Sequence, residues 1–158
     1  MTSHVLPAAG VHNPYLQRPV RILLVEDSPS DRALAMHALR EARVSNELHS
    51  VVDGEAALAF LRRSREYADV PRPDLVILDL NLPKKDGREV LADLKEDRDL
   101  RSIPVIVLTT SAADEDVLAM YDLQAAGYVT KPVAFADFVA AVKGIEEFWL
   151  SLVRLPRS

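Results

Sequence analysis

The sequence has 158 residues, 49% hydrophobic and 27% charged, with 5 Gly and 10 Pro, which excludes a mostly disordered or fibrous chain and fits one domain with a short tail. Its 19 Lys and Arg against 24 Asp and Glu leave a net charge of −5, and no basic cluster is dense enough to track a phosphate backbone, so no nucleic acid partner is expected. Cysteine is absent, which removes disulfides, thiol catalysis and Cys-ligated metals; no stretch approaches the ~20 apolar residues of a membrane span or the core of a signal peptide, so a cytoplasmic chain with no membrane partner is expected.

Residues 1–18, with Pro7, Pro14 and Gly10 and no apolar period, read as a flexible arm. Order begins at Val20–Val25, a nearly continuous apolar run that predicts a strand buried on both faces. Glu26 and Asp27 follow, and Ser28-Pro29 opens a helix to about Arg43. Ser28 suits its cap, Pro29 its first position and Asp31 its positive end. Leu48–Val52 predicts a second strand, Asp53-Gly54 a turn, and Ala56 to about Arg65 a helix. The stretch Asp69–Asp74 holds two prolines and breaks the chain. Leu75–Leu78 predicts a third strand running into Asp79, and Asp86–Asp97 a helix with Val90, Leu91 and Leu94 on one side. Val105–Leu108 is a fourth strand ending in Thr109, Thr110 and Ser111. Asp114–Ala126 is a helix and Tyr128-Val129 a short fifth strand. Lys131-Pro132 then precedes a long helix from about Phe135 to Val153. The domain proper spans 19–146, and 147–158 extends the last helix with apolar residues.

Five strand–helix pairs with short links require a parallel sheet with helices on both faces. A flavodoxin-like, doubly wound (βα)5 sheet with strand order 2-1-3-4-5 fits this length. Ligands in such a sheet sit beyond the carboxyl ends of the strands. Those ends carry Glu26 and Asp27 after strand one, Asp79 after strand three, Thr109 after strand four and Lys131 after strand five. Any one of these residues alone is ordinarily a turn or cap residue; their arrival at one end of one sheet is not explained that way. Three carboxylates brought together repel, and a hard divalent cation relieves the conflict. Oxygen ligands without thiolate favour Mg²⁺, with Mn²⁺ as an alternative. The four histidines share no ligand-like spacing. An ammonium beside a metal needs an anion to share, and a phosphoryl group suits metal, ammonium and hydroxyl together. Asp79 is then the candidate acceptor, since a carboxylate at the metal can attack phosphorus.

The segments VEDSPSDR, DLVILDLNLPKKDG, IPVIVLTTSA and GYVTKP, in that order between Val20 and Ile145, resemble the receiver domain of two-component response regulators. The resemblance implies that Asp79 is the phosphoacceptor and Asp27 the direct metal-binding acid, with Glu26 acting through water. It implies that Asn81 offers a backbone carbonyl to the metal, that Thr109 is the switch hydroxyl and Tyr128 the switch aromatic, and that Lys131 binds phosphate. It further implies a cis peptide at Lys131-Pro132. Glu26 stands where many receivers have Asp.

Too little chain follows the fifth helix for a DNA-binding output domain, so a single-domain regulator is expected, a switch protein rather than an enzyme. It is expected at most to phosphorylate itself from small donors and to dephosphorylate itself. The wording DLNLPKKDGREVL and the FWL segment resemble regulators partnered with phytochrome-type histidine kinases. In the last helix, Phe138, Val142, Ile145, Trp149 and Leu152 recur at steps of 4, 3, 4 and 3, and Phe148 widens the stripe. Its surplus beyond Ile145 predicts a homodimer interface of Ile145, Phe148, Trp149 and Leu152. The alternative is a haloacid-dehalogenase-like aspartyl-phosphate phosphatase. That superfamily needs a second Asp two residues after its nucleophile, where this chain has Asn81, which cannot shuttle a proton.

Overall fold

The computed structural model describes residues 2–5, 18–41, 45–111 and 113–145. Its strands are β1 (Thr2–Val5), β2 (Val20–Val25), β3 (Asn46–Val51), β4 (Leu75–Leu78), β5 (Val105–Thr109) and β6 (Gly127–Thr130). Its helices are α1 (Pro29–Arg40), α2 (Gly54–Leu61), α3 (Gly87–Glu96), α4 (Asp114–Asp122) and α5 (Phe135–Ile145). The sheet order is β1-β3-β2-β4-β5-β6. The five strands from β2 onward are parallel, so counted among themselves they run 2-1-3-4-5, as expected.

Period-two alternation makes the sheet apolar on both sides. Ile22, Leu24, Leu75, Ile77, Ile106 and Leu108 face one layer, where they pack with Ala35, Ala38 and Leu39 of α1 and Phe138, Val142 and Ile145 of α5. Leu23, Val25, Val76, Leu78, Val105 and Val107 face the other layer, against α2, α3 and Met120 of α4. A fully buried aliphatic side chain of this kind contributes roughly 1.5–3 kcal/mol, so both layers hold the strand ends rigidly.

Helix starts fall beside those ends because short polar residues cap them. The Asp31 N–H donates to Ser28 Oγ at 3.3 Å, the Ala56 N–H to Asp53 Oδ1 at 2.7 Å and the Arg88 N–H to Asp86 Oδ1 at 2.7 Å. Two helices stop earlier than their apolar periods suggest. After α2, Arg63 adopts a left-handed φ of 52°, and the Ser64 N–H donates back to the Ala59 carbonyl. After α4, Gln124 does the same at φ 66°, and the Ala125 N–H returns to Met120. The second parallel strand starts at Asn46 rather than Leu48, where the buried Asn46 amide donates to the Leu39 carbonyl at 3.1 Å.

The expected flexible arm begins with a strand. Thr2–Val5 pairs antiparallel with β3, from Thr2 opposite Ser50 to Val5 opposite Glu47. An edge strand offers a free row of N–H and C=O groups, and the arm's first residues take them. Arg18, where the chain re-enters the domain, pairs with Asp74 at 2.7 Å, and Asp74 also accepts the Arg21 N–H. Residues 6–17 and the surplus of the last helix, 146–158, lie outside the described residues. No described helix is long and apolar enough to cross a membrane.

Candidate functional site

Glu26, Asp79 and Lys131 sit where the backbone ladder delivers them. The Glu26 N–H donates to Val51, the Asp79 N–H to Val25 at 3.1 Å and the Lys131 N–H to Thr109 at 2.6 Å, so the ladders run one residue past the strands. Glu26, Asp79, Thr109 and Lys131 are all buried, whereas Asp27 is exposed. Carboxylate oxygens of Glu26, Asp27 and Asp79 lie within 4.8 Å of one another.

The Lys131 ammonium stands among them. It donates to Glu26 Oε1 at 2.5 Å, to Asp31 Oδ2 at 2.9 Å and to Asp79 Oδ2 at 3.2 Å. Burial pushes the Glu26 carboxyl up to about 7, with the charge of Asp79 adding to it; the Lys131 contact opposes the rise without cancelling it. Burial works against the Lys131 charge, yet its bonds to Glu26 and Asp31 and the charges of Glu26 and Asp79 hold its pKa above the ordinary lysine value. The ammonium therefore stays charged.

Thr109 Oγ1 is fully buried and has no hydrogen-bond partner among the described residues. A buried hydroxyl without a partner is costly, and this one lies at the same strand-end level as the carboxylates. Val107 is opposite Tyr128 in the β5–β6 register, so Thr109, two residues on, shares a sheet face with Tyr128. Tyr128 is half-buried, packs against the α2–α3–α4 layer and donates its hydroxyl to the Ser111 carbonyl at 2.8 Å. Ser111 Oγ donates to Asp116 Oδ2, and Asp116 Oδ1 pairs with Arg88 at 3.0 Å. The Ser111 hydrogen bond, followed by Arg88, holds the Asp116 carboxyl below the usual range.

The structure differs from the expectations at two points. The Lys131–Pro132 peptide, expected to be cis, is trans, as are all described peptide bonds; trans is the favoured isomer even before proline. Ile145, expected at a dimer interface, is buried in the chain's own α1–α5 layer, because the 4-and-3 spacing of Phe138, Val142 and Ile145 faces the sheet. Phe148, Trp149 and Leu152 lie outside the described residues. Asn81, expected to offer its carbonyl, donates its own N–H to Asp79 Oδ1 at 3.3 Å.

Asp31 is the residue that sequence reasoning did not assign to the site. It reads as a first-turn acid, and the capping bond made by its N–H supports that reading. It sits in the first turn of α1, and only the meeting of that turn with the residue just past β6 brings Lys131 to it.

Three carboxylates, Glu26, Asp31 and Asp79, meet one ammonium, and Asp27 joins Glu26 and Asp79 on the other side of the cluster. An all-oxygen donor set with surplus negative charge fits a hard divalent cation. The orphaned Thr109 hydroxyl and Lys131 fit the oxygens of an anion.

The response regulator receiver domain family matches residues 22–143. The chain is 51% identical over 138 residues to response regulator Rcp1 of Synechocystis sp., covering 87% of this chain and 94% of that protein. The Mn(2+)-bound form of Rcp1 superposes with a TM-score of 0.85, covering 88% of this chain and all of that one. The phosphorylated cyanobacterial phytochrome response regulator RcpA, 49% identical, superposes at 0.86, covering 89% of this chain and 100% of that one. The sheet and its strand-end site define a receiver fold, and the chain belongs to the response regulator receiver domain family, a family of phosphoacceptor switches. It is a homologue of the Rcp1 and RcpA regulators of cyanobacterial phytochrome signalling. The phosphatase alternative has no support here, since the candidate nucleophile follows the third parallel strand, β4.

Proposed function

We propose that Asp79 accepts a phosphoryl group from the phosphohistidine of a phytochrome-type sensor histidine kinase in the cytoplasm, and that this switches a protein-interaction face. The observation that carries the reading is Asp79 itself. It is a buried carboxylate 3.2 Å from the Lys131 ammonium, in a cluster with Glu26 and Asp27, and the buried Thr109 hydroxyl at the next strand end has no partner among the described residues. A carboxylate oxygen of Asp79 attacks phosphorus, the P–N bond of the donor breaks, and its electron pair returns to the imidazole. Mg²⁺, or Mn²⁺, would be held by Glu26, Asp27, Asp79 and the Asn81 carbonyl, and it supplies neutralisation of charge on the phosphoryl oxygens. Lys131 holds one phosphoryl oxygen through its ammonium. Thr109 donates to another, and that inward pull is transmitted to Tyr128 on the same sheet face and to the Ser111 loop bonded to it. The same attack on a small acyl phosphate needs no kinase.

A homodimer is part of this reading. The helical stripe that Phe138, Val142 and Ile145 bury internally continues in sequence through Trp149 and Leu152, beside Phe148. Those residues exceed what the sheet of one domain requires.

The test is labelling. With a phytochrome-type kinase and labelled ATP, the wild-type chain takes up base-labile label and Asp79→Asn takes up none. Equal base-labile label in both overturns the assignment.

A further inference from the structure

We infer that Asp31 is a positioning residue of the phosphoryl site: by holding the Lys131 ammonium on the α1 side, it weakens the grip of that ammonium on a phosphoryl group at Asp79. The inference rests on the reading of Asp79 as acceptor and adds to it a residue outside the three carboxylates that converge within 4.8 Å.

An ammonium has three protons to donate and no acceptor capacity. In this structure Glu26, Asp31 and Asp79 take all three, and the Asp31 contact at 2.9 Å is shorter than the 3.2 Å contact to Asp79. The Lys131 side chain is only 4% exposed while that of Asp31 is 29% exposed, so water reaches the Asp31 end of this pair but hardly the ammonium. Charge-assisted bonds at such distances are among the stronger ones available to a side chain. The role of Asp31 as a first-turn acid requires only that it sit near the α1 N-terminus; it does not require contact with a residue 100 positions away, just past β6. The Asp31 N–H is bonded to Ser28 Oγ, which anchors the turn, while the carboxylate reaches inward.

The consequence has a definite sign. A phosphoryl group on Asp79 needs the Lys131 ammonium to turn toward its oxygens. The Glu26 bond lies within the metal-side cluster, but Asp31 draws the ammonium elsewhere. Its removal frees one N–H and the full charge of Lys131 for the phosphoryl oxygens.

The probe is beryllofluoride, a stable stand-in for the phosphoryl group, titrated calorimetrically into the full chain with Mg²⁺. Asp31→Asn is expected to tighten binding about three- to tenfold, the scale of a partly exposed ion pair and somewhat above. Asp31→Glu, which keeps the charge, returns affinity toward wild type. In a Lys131→Ala background the Asp31→Asn substitution shifts affinity by less than about twofold, which a helix-dipole effect alone does not predict. Unchanged or weaker binding in Asp31→Asn, or an equal shift in both backgrounds, overturns the inference. Binding that survives Asp79→Asn overturns the acceptor reading instead.

Discussion

A Cβ added to Gly87 would lie 2.3 Å from the main-chain carbonyl oxygen of Asp79. The first turn of α3 therefore presses directly on the backbone of the candidate acceptor, and the Gly87 N–H bonds to the neighbouring Leu80 carbonyl at 2.9 Å. The loop between them turns back through Lys84 in a left-handed conformation, φ 64°. Glycine is needed here for close approach, since its own φ is not positive.

Gly87→Ala is accordingly expected to destabilise the fold by about 1–3 kcal/mol, the usual cost of overpacking against backbone that cannot retreat. Phosphoryl labelling of Asp79 should fall as well, because relief requires the Asp79 carbonyl to move. Chemical denaturation with parallel labelling checks both; an alanine variant of wild-type stability and labelling would mean that α3 yields instead.

Glu26 sets a pH dependence whose sign runs against the usual carboxylate case. Its folded pKa is raised from 4.5 to about 7, chiefly by burial, so the folded state binds the proton more tightly than the unfolded state. Stability contributed by the protonated form is present below about pH 4.5 and is lost as pH rises through about 7. Without metal, the stability difference between wild type and Glu26→Gln should shift in favour of the variant over that window and level off above it. Melts in a chelating buffer at pH 5 and pH 8 measure it, and a difference independent of pH would contradict the burial argument.

Asp27→Ala should keep the fold and weaken Mg²⁺ or Mn²⁺ binding by about tenfold or more, since affinity at such sites follows ligand charge. Asp27 is exposed and adds repulsion to Glu26 and Asp79, so its loss should leave the metal-free melting temperature equal or higher. Calorimetric titration with each metal and a melt in chelator check the two halves separately.

Phe148→Ala with Trp149→Ala should convert a dimer to a monomer while Asp79 remains labelled. Buried aromatics at an interface cost on the order of 2 kcal/mol or more each, and every 1.4 kcal/mol is about tenfold in affinity. Light scattering of both proteins at tens of micromolar, roughly the range where a modest dimer persists, decides it. A monomeric wild type would end the dimer reading.

Much of this protein was legible in its sequence because the signals are local. Leu75–Leu78 reads as a buried strand from four consecutive apolar residues, and the observed bounds of β4 are the same. Ser28-Pro29 marks the α1 start because a cap and a fixed φ act within one turn. The βα rhythm dictates a parallel sheet, and the sheet in turn brings Glu26, Asp27, Asp79, Thr109 and Lys131 to one end. What the tertiary structure alone decided depends on segments far apart in the chain. Asp31 becomes a partner of Lys131 only when the first turn of α1 and the residue after β6 come together at the strand ends, and Glu26 acquires its raised pKa only when folding removes water from it. Thr2–Val5 becomes a strand only because β3 has an open edge to receive it. Ile145 is buried because α5 packs on α1 and the sheet, which helical spacing by itself cannot distinguish from a face left for a second chain. Periodicity fixes which residues share a face; only packing decides what that face meets.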